Sequence, residues 1–145
     1  MWQRVQTLYL AIATVLIGVM FFSVKAASYG ADGETVRTLM YTDYIPYLVL
    51  LIVITLLNIL ALTTFKHRIF QMRTAGLAAI VTLALQIWLG VDFWLTRGEF
   101  VFKVTAVFPL LCVILDILAA RGILADQLLV ESAYHLRKAR RERRR

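Results

Sequence analysis

The chain has 145 residues, the size of one domain, with 61% hydrophobic against 17% charged residues; that balance excludes an ordinary water-soluble core with a polar shell. The formal net charge is +7, but positions 137–145 hold seven Lys or Arg and one acid, so those nine residues carry +6 and the other 136 carry +1. A basic face spread over the fold is therefore excluded. The single cysteine, Cys112, excludes an intrachain disulfide and a CxxC redox pair, and inside an apolar run it reads as a small buried hydrophobe.

A membrane-spanning helix needs about twenty apolar residues, because each advances ~1.5 Å across a hydrocarbon core of ~30 Å. Four runs qualify: residues 8–24, 45–65, 74–95 and 100–120. The first follows Arg4 and ends near Val24-Lys25-Ala26, which resembles a signal-peptide cleavage site, but its apolar stretch is longer than an ordinary h-region and reads as retained. Between the first two runs, Gly30, Asp32 and Gly33 mark a turn within an exterior loop over 29–44. Tyr41, Tyr44 and Tyr47 suit an interfacial aromatic belt, and Pro46 suits the first turn of the second helix. The third run is diluted by Ala, Gly, Thr and Gln and relies on packing against its neighbours. In the fourth, Pro109 is placed to kink the helix.

Orientation follows from counting Lys and Arg in the short connections. Arg4, the loop 66–73 with Lys66, Arg68 and Arg73, and eight more from Arg121 onward make twelve on one side; Lys25, Arg37, Arg97 and Lys103 make four on the other. Both termini are expected in the cytoplasm. The expected fold is an all-α integral membrane protein of a bacterial inner membrane: an antiparallel four-transmembrane-helix bundle over 1–121, followed by a cytoplasmic C-terminal helix and basic tail over 122–145.

Acids inside membrane helices mark functional sites by default. Asp92 falls near the outer end of the third run and Asp116 near the inner end of the fourth, most of a membrane apart, so they do not pair. Lys103 is the expected partner of Asp92, and Arg4 or Arg121 that of Asp116. Gln86 and Thr55 fall near mid-depth with Asn58 deeper, as side chains that cross-link helices. A haem bundle needs histidines facing its core, whereas His67 and His135 lie outside the runs. No phosphate-cradling loop, His-Glu metal motif or nucleophile-base set is visible, so neither a cofactor nor an enzymatic activity is expected.

Residues 122–137 carry two apolar stripes, Leu124, Leu128, Leu129 and Leu136 on one arc and Ile123, Val130 and Tyr134 on the other, more than a lone surface helix needs. Beyond them stand Arg137, Lys138, Arg140, Arg141, Arg143, Arg144 and Arg145. Beside anionic headgroups each contributes ~1 kcal/mol at best, enough together to tether the tail to the inner leaflet. The alternative is contact with an acidic partner, a larger membrane protein complex or the ribosome. A charge block without interleaved aromatics binds phosphates but does not read nucleic-acid sequence.

The opening MWQRVQTLYL and the closing DQLLVESAYHLR resemble the two ends of a family of small integral membrane proteins, mostly of Bacteroidota, catalogued as a domain of unknown function. Gln3, Arg4, Gln6, Thr7, Tyr9 and Leu10 match its N-terminal signature, and Asp126, Leu129, Val130, Ser132, Leu136 and Arg137 its C-terminal one. Tyr134 and His135 stand where that family more often has an acid and a base. The resemblance implies four transmembrane helices and no chemistry. With both signatures at the cytoplasmic face, Gln3, Arg4 and Gln6 are expected to meet Asp126 or Ser132 in one platform. The expected role is a non-enzymatic accessory or scaffold protein, the alternative a small transporter or proton-conducting bundle using its intramembrane acids.

Overall fold

The computed structural model describes the backbone of residues 2–142 and the side chains of 5–140 and 142. Four helices, α1 (Trp2–Met20), α2 (Ile45–Thr63), α3 (Arg68–Thr96) and α4 (Phe108–Glu142), and three strands, β1 (Val24–Tyr29), β2 (Thr35–Met40) and β3 (Val101–Phe102), follow in the order α1-β1-β2-α2-α3-β3-α4. Helices α2 and α3, and the helical stretch Val104–Arg140 that contains α4, are long and apolar enough to cross a membrane; the apolar stretch Val5–Met20 of α1 is shorter. The helices close a ring in which α1 and α3 each pack against both α2 and α4.

The direction of each helix follows from which residues meet. Ile17 and Met20, late in α1, share a buried cluster with Tyr47 and Leu51, early in α2, with Leu85 and Leu89, late in α3, and with Cys112, early in α4. A second cluster joins Leu10, early in α1, to Ala61, late in α2, Ala75, early in α3, and Ala119 of α4. Successive helices are therefore antiparallel, and the start of α1 and the continuation of α4 lie at the same end, here the tail end. Cys112 is buried as expected, its Sγ 3.6 Å from the Ala13 carbonyl.

The opposite end is closed by a three-stranded antiparallel sheet of order β2-β1-β3, which the hydropathy pattern did not disclose. Helix α1 stops at Met20, short of the expected Val24, where Phe21, Phe22 and Ser23 donate to Gly18, Val19 and Met20 carbonyls three residues back and satisfy the last turn. Residues 29–44 are not an open loop: β1 and β2 form a hairpin, with Val24 opposite Met40 and Tyr29 opposite Thr35. Its turn falls at the expected glycines, Gly30 N donating to Glu34 O at 2.9 Å and Gly33 holding φ +76°, a left-handed value that favours glycine. Residues 100–107, expected to be helical, instead contain β3, paired with β1 through Ala26–Phe102 and Ala27–Val101, and a 3-10 turn at Val104–Val107. Pro109 consequently sits in the first turn of α4, where its missing N–H costs nothing, and does not kink the helix.

Two further boundaries differ from expectation. Helix α3 begins at Arg68, so Arg68 and Arg73 are on its first turns and not in a loop. Helix α4 runs unbroken through Gly122 to Glu142, so the division at 121/122 is not a break in the chain's structure. Tyr41 and Tyr47 are buried beneath the sheet, and only Tyr44 of the expected aromatic belt is exposed.

Candidate functional site

At the sheet end, Lys25 of β1 lies at the register shift between Val24 and Ala26 and is 8% exposed. Its Nζ forms an ion pair with Asp92 Oδ2 on α3, and the Tyr47 hydroxyl donates to the same oxygen at 3.1 Å. The ammonium lies 4.7 Å from the Tyr47 ring centroid and 5.7 Å from that of Phe102, so two aromatic faces complete its solvation. Lys103 is therefore not the partner of Asp92. Because residues 101–102 are strand, Lys103 leaves the sheet edge toward solvent, where its Nζ donates to the Tyr29 hydroxyl at 3.1 Å. A pocket of about 350 Å³ opens beside the pair, lined by Arg37, Asp43, Tyr44 and Trp88 among others. Asp43 is already engaged, accepting from Met40 N at 2.8 Å.

Midway between the two apolar clusters lies a polar layer. Asp116 occupies the turn of α4 between Cys112 and Ala119, Asn58 the turn of α2 between Ile54 and Ala61, and Thr82 the turn of α3 below Leu85; all three are 0% exposed. Since α4 begins at Phe108, Asp116 stands eight residues, about 12 Å, below the sheet end and not near the tail end. Neither Arg4 nor Arg121 is shown as its partner: the Arg4 side chain lies outside the described residues and Arg121 is exposed. Asn58 lies against Asp116, but its Nδ2 donates to Ile54 O of its own helix at 3.1 Å. Neither Asp116 oxygen has a hydrogen-bond partner among the described residues, nor do Asn58 Oδ1 and Gln86 Oε1. Thr82 and Thr55 donate to their own helices, at 2.7 Å to Ala78 O and Leu51 O. Of the residues expected to cross-link helices, Thr55 bonds within its own helix, while Asn58 of α2 lies against Asp116 of α4. Thr82 was not singled out in the sequence; its register between Ala75 and Leu85 was the available signal.

At the tail end, Gln6 Nε2 donates to Asp126 Oδ2 at 3.0 Å, joining α1 to α4 across 120 positions of sequence. Gly122, one turn earlier on α4, makes the approach possible: a Cβ there would stand 3.0 Å from Gln6 Cγ and Nε2. Gln6 and Asp126 border a pocket of about 240 Å³ with Phe65, Arg68 and Gln71. Ser132 does not join them; it is exposed and donates to Leu129 O at 2.9 Å. The side chains of Gln3 and Arg4 lie outside the described residues. Beyond Asp126 the helix leaves the others: Leu128, Leu129, Val130, Tyr134 and Leu136 are all exposed, whereas Ile123 is buried. Arg137, Lys138 and Arg140 are exposed on the same helix, while the Arg141 side chain and Arg143, Arg144 and Arg145 lie outside the described residues.

A family model described as a domain of unknown function (DUF4293) matches residues 2–136. The chain belongs to this family. The match takes in all four helices and the sheet, and ends at Leu136, so the DUF4293 unit includes most of the exposed extension of α4 but not the basic run after it. No curated protein and no solved structure matches the chain.

Proposed function

We propose that this DUF4293 protein is a non-enzymatic accessory or scaffold protein of a bacterial inner membrane, crossing it four times with both ends in the cytoplasm and offering the end of α4 to the membrane surface or to a partner complex. The observation that carries the reading is α4 itself. It continues sixteen residues past Asp126, about 24 Å, with five large apolar side chains exposed and a basic end. A helix extended into water with that much exposed apolar surface has a covering surface missing. The distribution of charge supports the orientation, since Lys66, Arg68, Arg73, Arg121, Arg137, Lys138 and Arg140 are all at the tail end or beyond it. The start of α1, the end of α2 and the start of α3 reach the level of Asp126, which gives α1, short as its apolar stretch is, a span matched to its neighbours.

The pairing of Asp92 with Lys25 and Tyr47 also supports a structural reading, because a carboxylate held by an ammonium and a phenol is not free to carry ions. Asp116, buried and without a hydrogen-bond partner, is the one observation that favours the second reading, a proton-conducting or transporting bundle. Two changes separate them. Truncation after Gln127 removes partner capture and leaves Asp116 in place; Asp116→Asn removes flux and leaves α4 in place. Chemical cross-linking in intact membranes that gives the same adducts with and without the extension refutes the scaffold reading.

A further inference from the structure

We infer that the first turns of α3 and the loop before them form a binding site for the headgroup of an anionic phospholipid, separate from the basic tail. A groove of about 830 Å³ lies there, lined by Lys66, His67, Arg68 and Arg73 together with Ile69 and Phe70. No carboxylate lies within ion-pair distance of Lys66, Arg68 or Arg73 among the described residues, where the ion pairs are Lys25–Asp92 and His135–Glu131. On the facing α4, Asp126 borders the adjoining pocket with Arg68 and already accepts from Gln6. Arg68 is half-buried and has no carboxylate within ion-pair distance among the described residues. An anion supplies what is missing.

The apolar part of the groove says what kind of anion. Ile69 and Phe70 are exposed at 51% and 48% on the first turn of α3 and line the same groove as the cations. A phosphate diester bound to Arg68 and Arg73, with its acyl chains along Ile69 and Phe70, meets both halves of the groove; a free phosphate meets only one. From α4, Gln127 contributes an amide whose Oε1 is buried and without a hydrogen-bond partner, a group that a glycerol hydroxyl would satisfy. Arg supplies paired N–H donors to phosphate oxygens, which gives the site geometry as well as charge. This inference rests on the tail end being the cytoplasmic interface, but not on the scaffold role or on any use of the tail.

The test is native mass spectrometry of the full chain in a neutral detergent, titrated with dioleoyl phosphatidylglycerol and, separately, with phosphatidylcholine of the same chains. Phosphatidylglycerol is expected to bind at least tenfold more tightly. Replacing Lys66, Arg68 and Arg73 together with Ala is expected to remove that preference, since each basic residue beside an anionic lipid surface is worth roughly fivefold. Arg68→Gln alone, which leaves the charge count that sets topology nearly intact, is expected to weaken it about fivefold. Removing residues 137–145 is expected to leave the preference unchanged, and inorganic phosphate is expected not to displace the lipid. Equal binding of the two lipids, loss of the preference on removing the tail, or full displacement by inorganic phosphate would each overturn the site, and none of these results bears on whether the α4 extension captures a partner.

Discussion

Replacing Lys25 with Met removes the ammonium that Asp92 pairs with and keeps most of the side chain's volume. The side chains of the pair are 10% and 26% exposed, so the lysine is well shielded while the carboxylate keeps some access to water. Removing one member of a buried pair costs about 3–5 kcal/mol, most of it from the uncompensated partner. The access at Asp92 and the hydrogen bond from Tyr47 place the expected loss at the low end, about 3 kcal/mol. For a chain of this size that corresponds to roughly 6–12 °C in melting temperature. Trp88, whose ring centroid lies 6.0 Å from that of Tyr47, gives a fluorescence reporter of the same region during thermal unfolding in detergent. The decisive measurement is the cycle of Lys25→Met, Asp92→Asn and the double variant. The double variant is expected to recover at least 1.5 kcal/mol relative to the sum of the singles, within the range for residues in contact. Lys103→Ala, which removes an exposed bond to Tyr29, is expected to cost about 0.5 kcal/mol and to show no coupling with Asp92→Asn. Additive losses for Lys25 and Asp92, or coupling between Lys103 and Asp92, would refute the pairing.

Three further outcomes are expected. Gly122→Ala gains up to about 1 kcal/mol of helix propensity and displaces Gln6 from Asp126, losing about 1 kcal/mol; the net change in unfolding free energy is near zero, while Gln6→Ala, which costs about 1 kcal/mol in the parent chain, costs nothing in the Gly122→Ala background. Asp116→Leu removes a buried carboxyl that makes no hydrogen bond and fills the same space with carbon, so denaturant unfolding is expected to show equal or higher stability; a loss above 2 kcal/mol would reveal a partner for Asp116. Burial raises the Tyr41 phenol above its ordinary 10.0, against a smaller lowering by its bond to Thr105, so the neutral form is favoured by folding. Its contribution is full below pH 10 and is lost as the pH rises from there through the folded value, and Tyr41→Phe is expected to flatten that alkaline fall in stability.

The contrast between the two ends of the molecule shows what a sequence pattern carries. Hydropathy scores each residue for its own transfer into oil, and the four apolar runs were legible because helix interiors depend on that sum alone. The sheet was not, because its strands are defined by partners: Ala26 pairs with Phe102 seventy-six positions away, and nothing local to Phe100 or Val101 separates a strand from the start of an apolar helix except Pro109, whose place in a first turn reads equally as a kink. Misplacing that boundary by eight residues moved Asp116 from mid-depth to the tail end and set Lys103 beside Asp92. Lys25 was overlooked for a related reason. As part of a loop it counted only as one charge on one side, whereas within β1 it is buried and paired with Asp92 of α3. The meeting of Gln6 and Asp126 was easier to anticipate, because antiparallel helices of similar length bring the start of the first and the end of the fourth to one level whatever the sheet does. That contact needs only topology. The polar layer needs register, and register in turn depends on where each helix begins, so the residues with the most chemistry in them, Asp116, Asn58 and Thr82, were the ones whose grouping emerged only once the sheet had fixed the start of α4.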